Sequence, residues 1–131
     1  MADTFQFDLV SPERKLASGP ARAVQIPGAD GDLTAMPDHA PSITSLRPGV
    51  LVVEGANGED RYVVTGGFAE ISPEATTVLA ERAFPASDAE ARDALQGVLE
   101  DVRGKAGAVS GPEKDVLDKT ADDLAKVIDG L

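Results

Sequence analysis

The chain has one histidine, His39, directly after Asp38, with Ser42 and Ser45 close behind. Those residue types could make a proton-relaying nucleophilic triad. Such a triad is defined by geometry in space, however, and four positions crowded into one turn-rich stretch seldom provide it. The sequence holds no nucleophile elbow, no Gly-x-x-x-x-Gly-Lys phosphate loop and no cluster of metal-ligand spacing. With no cysteine and no second histidine, a zinc site lacks its usual donors. No catalytic residue, no metal ligand and no cofactor is therefore expected. What the stretch does encode is shape. Residues 28 to 41 contain two glycines, two prolines and His39 within fourteen positions. That density of turn chemistry fixes an unusual backbone: a turn, a short strand over Leu33 to Met36, and a second turn.

Those turns need a scaffold, and the first 85 residues read as one made of strands. Thr4 to Val10 alternates, with Phe5, Phe7 and Leu9 on one face. Further short runs follow at Ala21–Ile26, Leu33–Met36, Pro41–Leu46, Val50–Glu54, Arg61–Thr65, Phe68–Ile71 and Ala75–Ala80. Arg47-Pro48-Gly49, Asn57-Gly58, Gly66-Gly67 and Ser72-Pro73 punctuate them, and Asn-Gly between strand-like runs signals a hairpin. About eight or more strands at intervals of roughly ten residues make a sandwich or barrel.

The period changes after Pro85. Ser87-Asp-Ala-Glu90 reads as a capping box. Ala91, Leu95, Val98, Leu99, Val102 and Ala106 then recur at helical spacing. Gly104 to Ala108 loosens the chain, and Ser110-Gly-Pro-Glu113 reads as a second capping box with proline near the helix start. Val116, Leu117, Ala121, Leu124, Val127, Ile128 and Leu131 give a second stripe. Two helices on a short connection pair antiparallel. The expected fold is an all-β N-terminal sandwich, residues 1–85, and an α-helical hairpin, residues 86–131. The junction near Pro85-Ala86 is a candidate hinge.

Composition restricts the partners. Of 131 residues 42% are hydrophobic and 27% charged, an ordinary globular balance with a largely aliphatic core. The net charge of −11 argues against nucleic acid and against adsorption to anionic lipid, both of which need a basic face. No apolar run is long enough for a helical membrane span. The first residues show no signal or transit character, so any membrane role is expected to be indirect.

The string Gly28-x-x-Gly31, a short strand, then Pro37-x-His39-Ala40-Pro41 resembles the signature loop of the epsilon subunit of rotary proton-translocating (F-type) ATP synthases. Val10-Ser11-Pro12-Glu13, Leu46-Arg47-Pro48-Gly49 and Gly66-Gly67-Phe68-Ala69-Glu70 extend the resemblance over nearly the whole chain. It implies a non-catalytic central-stalk subunit that joins the rotating gamma subunit to the membrane c-ring. Such a subunit is peripheral on the cytoplasmic face of the bacterial inner membrane, and its C-terminal helices can reach the alpha and beta subunits of the head. Carried onto this chain, the resemblance puts Gly28, Gly31, Asp32 and His39 at the c-ring, and Phe68 and Glu70 at gamma. The residues alone leave other readings open. His39 could be a hydrogen-bonded brace within its double-proline turn. Phe68 could lie in the core beside a bulge or tight turn, and Met36 could pack in the core or an interface. A free adaptor binding a partner helix is the alternative function.

Some members of that family bind ATP through an Ile/Leu-Asp-x-x-Arg-Ala pattern. Here the matching stretch carries Asp88, Ala89, Arg92 and Asp93. The pattern is broken, and the segment is acidic where a triphosphate wants cations, so no nucleotide site is expected. Residues 86–131 hold six Lys/Arg against eleven Asp/Glu, a balance of −5. That charge opposes docking on an acidic loop and implies weak inhibition by the helices.

Overall fold

The computed structural model describes residues 3–56 and 58–131. Ten strands precede two helices: β1 (Phe5–Val10), β2 (Lys15–Ala21), β3 (Ala23–Ile26), β4 (Leu33–Ala35), β5 (Ser42–Leu46), β6 (Gly49–Gly55), β7 (Gly58–Val64), β8 (Gly67–Ile71), β9 (Ala75–Ala80), β10 (Ala83–Pro85), α1 (Ala89–Gly107) and α2 (Pro112–Asp129). They form two five-stranded sheets. Sheet A has the order β2-β1-β9-β8-β5, and sheet B has the order β10-β7-β6-β3-β4. Neighbours are antiparallel except β1 and β9, which run parallel.

Alternation builds the sandwich as expected. Phe5, Phe7 and Leu9 of β1 face inward and meet Leu51, Val53 and Val64 of sheet B in one apolar core. Two strands escape the sequence pattern. β2 contains Gly19-Pro20 and little alternation, and it is tolerated because it lies at a sheet edge, where a missing N–H leaves no ladder bond unmade. The run expected over Ala21–Ile26 is two elements. The chain passes from β2 to β3 at Arg22, whose N–H donates to Glu54 O at 2.7 Å. β10 is a three-residue strand on β7. The β6–β7 hairpin forms in register, with Gly55 opposite Gly58, while Asn57 lies outside the described residues.

Both helices start one residue away from the expected caps. The cap of α1 is Asp88, not Ser87, and its carboxylate accepts from the Glu90 N–H at 3.0 Å. Gly111, with φ of 72°, caps α2 without any side-chain bond, so Ser110 makes no capping box. Pro112 opens the helix, where its missing N–H costs nothing. α1 also runs on through Gly104 and Ala106 to Gly107, where a looser chain was expected.

The hairpin packs on the outer face of sheet B. Ala91, Leu95 and Leu99 of α1 and Ala121, Leu124 and Ile128 of α2 close over Val63, with Val50, Phe84 and Ala86 at the margin. Val63 points away from the sandwich interior and is still fully buried, because the helices cover it. The helices thus cover sheet B's outer face around Val50, Val63 and Phe84, while Gln25, Thr34 and Arg61 on that face stay exposed. Sheet A is covered on its inner face alone by the described residues.

Candidate functional site

The first turn is built around an absence of side chain. A Cβ on Gly28 would sit 2.5 Å from the Gly31 carbonyl oxygen, so only glycine lets the two ends of the turn close. Backbone bonds fix the closed form. The Gly28 N–H donates to Ile26 O at 2.9 Å, Gly31 N–H to Gly28 O at 3.2 Å, and Ala29 N–H to Ser45 O at 2.8 Å. Arg47 fastens it from the next turn, its guanidinium donating both to the Gly28 carbonyl and to the Asp32 carboxylate. Asp32, which the resemblance puts at the c-ring, is already paired with a cation of its own chain.

His39 lies elsewhere. Asp38, in the left-handed region at φ of 65°, turns the chain, and its N–H donates to Pro73 O at 3.1 Å. His39 N–H donates to Met36 O at 3.2 Å, and Nδ1 lies 2.7 Å from Ala40 O. A carbonyl can only accept, so this contact places a proton on Nδ1. The brace reading is therefore satisfied by the geometry. Ser42 Oγ donates to the same Ala40 carbonyl at 3.2 Å, not to the imidazole. The Gly28–Asp32 turn and the His39 turn stand at opposite ends of β4 and β5. At about 3.3 Å per strand residue that is roughly 15 Å apart. Gly28, Gly31 and Asp32 are brought together, and His39 is not with them. Met36 is 55% exposed and packs in no core.

The third region is the outer face of sheet A. Register puts Ser45, Phe68, Leu79 and Val10 in one row across β5, β8, β9 and β1. The adjacent row holds Ile43, Glu70 and Thr77. Phe68 is 49% exposed, Leu79 39% and Ile43 76%. Phe68 is thus no core residue, contrary to the reading from its type. Ala69 and Ile71 face the core, and strand parity sends Phe68 and Glu70 outward together. The preceding turn is nevertheless as tight as its two glycines suggest. At Gly67, φ is 119°, and a Cβ would collide with the Leu79 carbonyl oxygen and the Ala80 Cα. Sequence reasoning missed Ile43 and Leu79, though their parity with the buried Leu46 and Val78 could have found them.

In the acidic stretch at the base of the hairpin, Arg92 donates to the Ile128 carbonyl in the last turn of α2 at 3.1 Å. There it adds a charged donor at the negative end of the helix, to a carbonyl that also accepts from the Leu131 N–H at 3.1 Å. Among the described residues no group of three or more His, Cys, Asp or Glu side chains could hold a metal ion. Among the described residues no helix is long and apolar enough to cross a membrane.

Residues 4–86 match the family described as the beta-sandwich domain of the ATP synthase delta/epsilon chain. Among curated proteins, the chain is 51% identical to the ATP synthase epsilon chain of Jannaschia sp. (strain CCS1) over 98% of this chain and 96% of that one. It is 61% identical to the epsilon chain of Ruegeria sp. (strain TM1040) over 79% of this chain and 74% of that one. Among solved structures, the cryo-EM structure of the Euglena gracilis mitochondrial ATP synthase (OSCP, F1 and c-ring in rotational state 1) contains a chain with a TM-score of 0.67 at 22% identity. That match covers 92% of this chain and 76% of the other. At that identity the likeness is one of fold.

Proposed function

The chain belongs to the ATP synthase epsilon-chain family, and on that premise we propose that it is a non-catalytic central-stalk subunit coupling c-ring rotation to ATP synthesis. Gamma docks on the outer face of sheet A, with Phe68 and Glu70 among its contacts. The c-ring is met by the Gly28–Asp32 turn and, at the far end of β4, by His39. A ring of subunits can reach both, whereas one loop cannot. Residues 1–85 act as the docking domain and residues 86–131 as a separable helical domain.

The observation that carries this reading is the uncovered apolar row on sheet A. Contiguous exposed apolar surface on a soluble chain marks an interaction site, and here the chain's own helices cover the apolar part of the other sheet's outer face instead. A coupling subunit needs rigid surfaces and buried interface area rather than reactive groups, and closed turns beside an apolar sheet face suit that need. The location follows from the partners: peripheral, held at the cytoplasmic face of the bacterial inner membrane by the complex. Fractionation of cells expressing the native chain tests this. Co-sedimentation with membranes and co-purification with the ATP synthase are expected. Recovery as a free soluble species would favour an adaptor instead.

Contacts of the helices with alpha and beta are expected to inhibit weakly, because residues 86–131 carry a balance of −5. Deleting residues 86–131 in the assembled complex should change ATP hydrolysis by less than about twofold, as repulsion between like charges implies. A many-fold rise would overturn that expectation.

A further inference from the structure

Two carboxylates lie in or beside the first turn, and the structure treats them differently. Asp32 is ion-paired with Arg47. Asp30, exposed at the apex, has no cation within ion-pair distance among the described residues. We propose that Arg47 is a positioning residue for this turn. Its guanidinium holds the Gly28 carbonyl and the Asp32 carboxylate together, and the charge the turn presents to a partner is that of Asp30. The inference rests on the reading above that this turn meets the c-ring.

The geometry carries the assignment. A planar guanidinium can serve two acceptors from one fixed position, and a lysine ammonium on a flexible stem cannot hold the same fork. Gly28 and Asp32 flank the turn, so one side chain clamps both ends of it. With Asp32 and Arg47 cancelling, the local surplus is one negative charge at Asp30. The turn forms one wall of a cleft of about 750 Å³ whose other wall is α2. On that wall Lys119 is already paired with Asp123 at 3.1 Å. Lys126 also lines the cleft, outside ion-pair distance of Asp30. Asp30 therefore remains available to a cationic group on a partner loop, where an exposed charge acts chiefly through encounter rate and salt dependence.

The test is a titration of epsilon-depleted ATP synthase membranes with the native full-length chain and four variants, reading restored proton-driven ATP synthesis at low and high ionic strength. Thermal unfolding of each variant is recorded alongside. Asp32→Asn keeps an amide oxygen for Arg47, so the turn stays clamped, but it leaves the guanidinium charge uncancelled; it should raise the half-saturating concentration by about twofold, no more than Asp30→Asn does. Asp30→Asn should raise that concentration about two- to fivefold, the range for one exposed pair, and flatten its salt dependence. Arg47→Gln should lose as much, and Arg47→Lys should restore the charge without restoring coupling. A purely structural Arg47 would give variants whose loss tracks their unfolding temperature and is indifferent to salt. That pattern overturns the proposal. So does an Asp32→Asn variant of native stability that loses more than Asp30→Asn, or an Asp30→Asn variant indistinguishable from native. If the native chain itself restores nothing, the underlying reading of the turn falls first.

Discussion

Truncating Phe68 to alanine separates a docking residue from a core residue. A phenylalanine presents about 200 Å². With 49% of it exposed, roughly 100 Å² remains for a partner to cover. At about 25 cal/mol per Å² that area is worth roughly 2.5 kcal/mol. Alanine keeps the Cβ, so Phe68→Ala should weaken gamma binding by about 2 kcal/mol, or roughly thirtyfold in Kd. The folded chain should barely notice. The lost cross-strand contact with Leu79 is worth about 0.5 kcal/mol, a shift of about 2 °C in Tm for a chain of this size. A core phenylalanine would instead cost about 3–5 kcal/mol of stability. Isothermal titration of purified gamma, with calorimetric unfolding of the same samples, measures both numbers. An unchanged Kd, or a Tm loss of core size, would refute the assignment of Phe68 to an interface.

Gly67→Ala should destabilise the sandwich by about 1–3 kcal/mol or more, since φ of 119° is strained for alanine and its Cβ meets the Leu79 carbonyl oxygen; chemical denaturation reads this directly. Leu95→Ala empties a fully buried site between hairpin and sheet B and should cost about 2–5 kcal/mol, with limited proteolysis reporting earlier cleavage within residues 86–131. Asp8 adds a dependence on acid. The Ser18 hydroxyl, 2.6 Å away, holds its carboxyl below the ordinary value against the opposing effect of burial, with smaller help from Gln6 and Lys15. A folded pKa below the unfolded one adds stability that is present above the unfolded pKa and lost as pH falls through the folded one. Ser18→Ala should therefore narrow the difference in stability between neutral and acid pH. Unfolding measured from about pH 5 down to about pH 2 should show a shallower acid slope for the variant.

Much of the fold was legible in local pattern. The alternation of Phe5, Phe7 and Leu9 and the helical spacing of Leu95, Leu99, Leu124 and Ile128 each state a period and a buried face. β2 was not legible, because Gly19-Pro20 erases both alternation and propensity, and only its place at the edge of sheet A permits it. Ser87 and Ser110 were plausible caps by type, yet Asp88 and Gly111 hold the cap positions one residue further on. Phe68 misled through its chemistry. A large aromatic suggests a core, but parity with Ile71 decides its direction. At the site, the turn chemistry of Gly28 to Asp32 could be read, whereas the Arg47 clamp could not. That pair is fifteen residues apart and joins two loops through tertiary structure alone. The separation of His39 from Asp32 was hidden for a related reason. Seven positions of sequence look close until the intervening residues extend as a strand.

The most direct measurement is restoration of proton-driven ATP synthesis in epsilon-depleted membranes by the native chain. A coupling subunit rebinds the stalk, returns synthesis and makes hydrolysis sensitive to the proton gradient again. A chain that neither binds nor restores synthesis, while folded by circular dichroism, would contradict the central-stalk role.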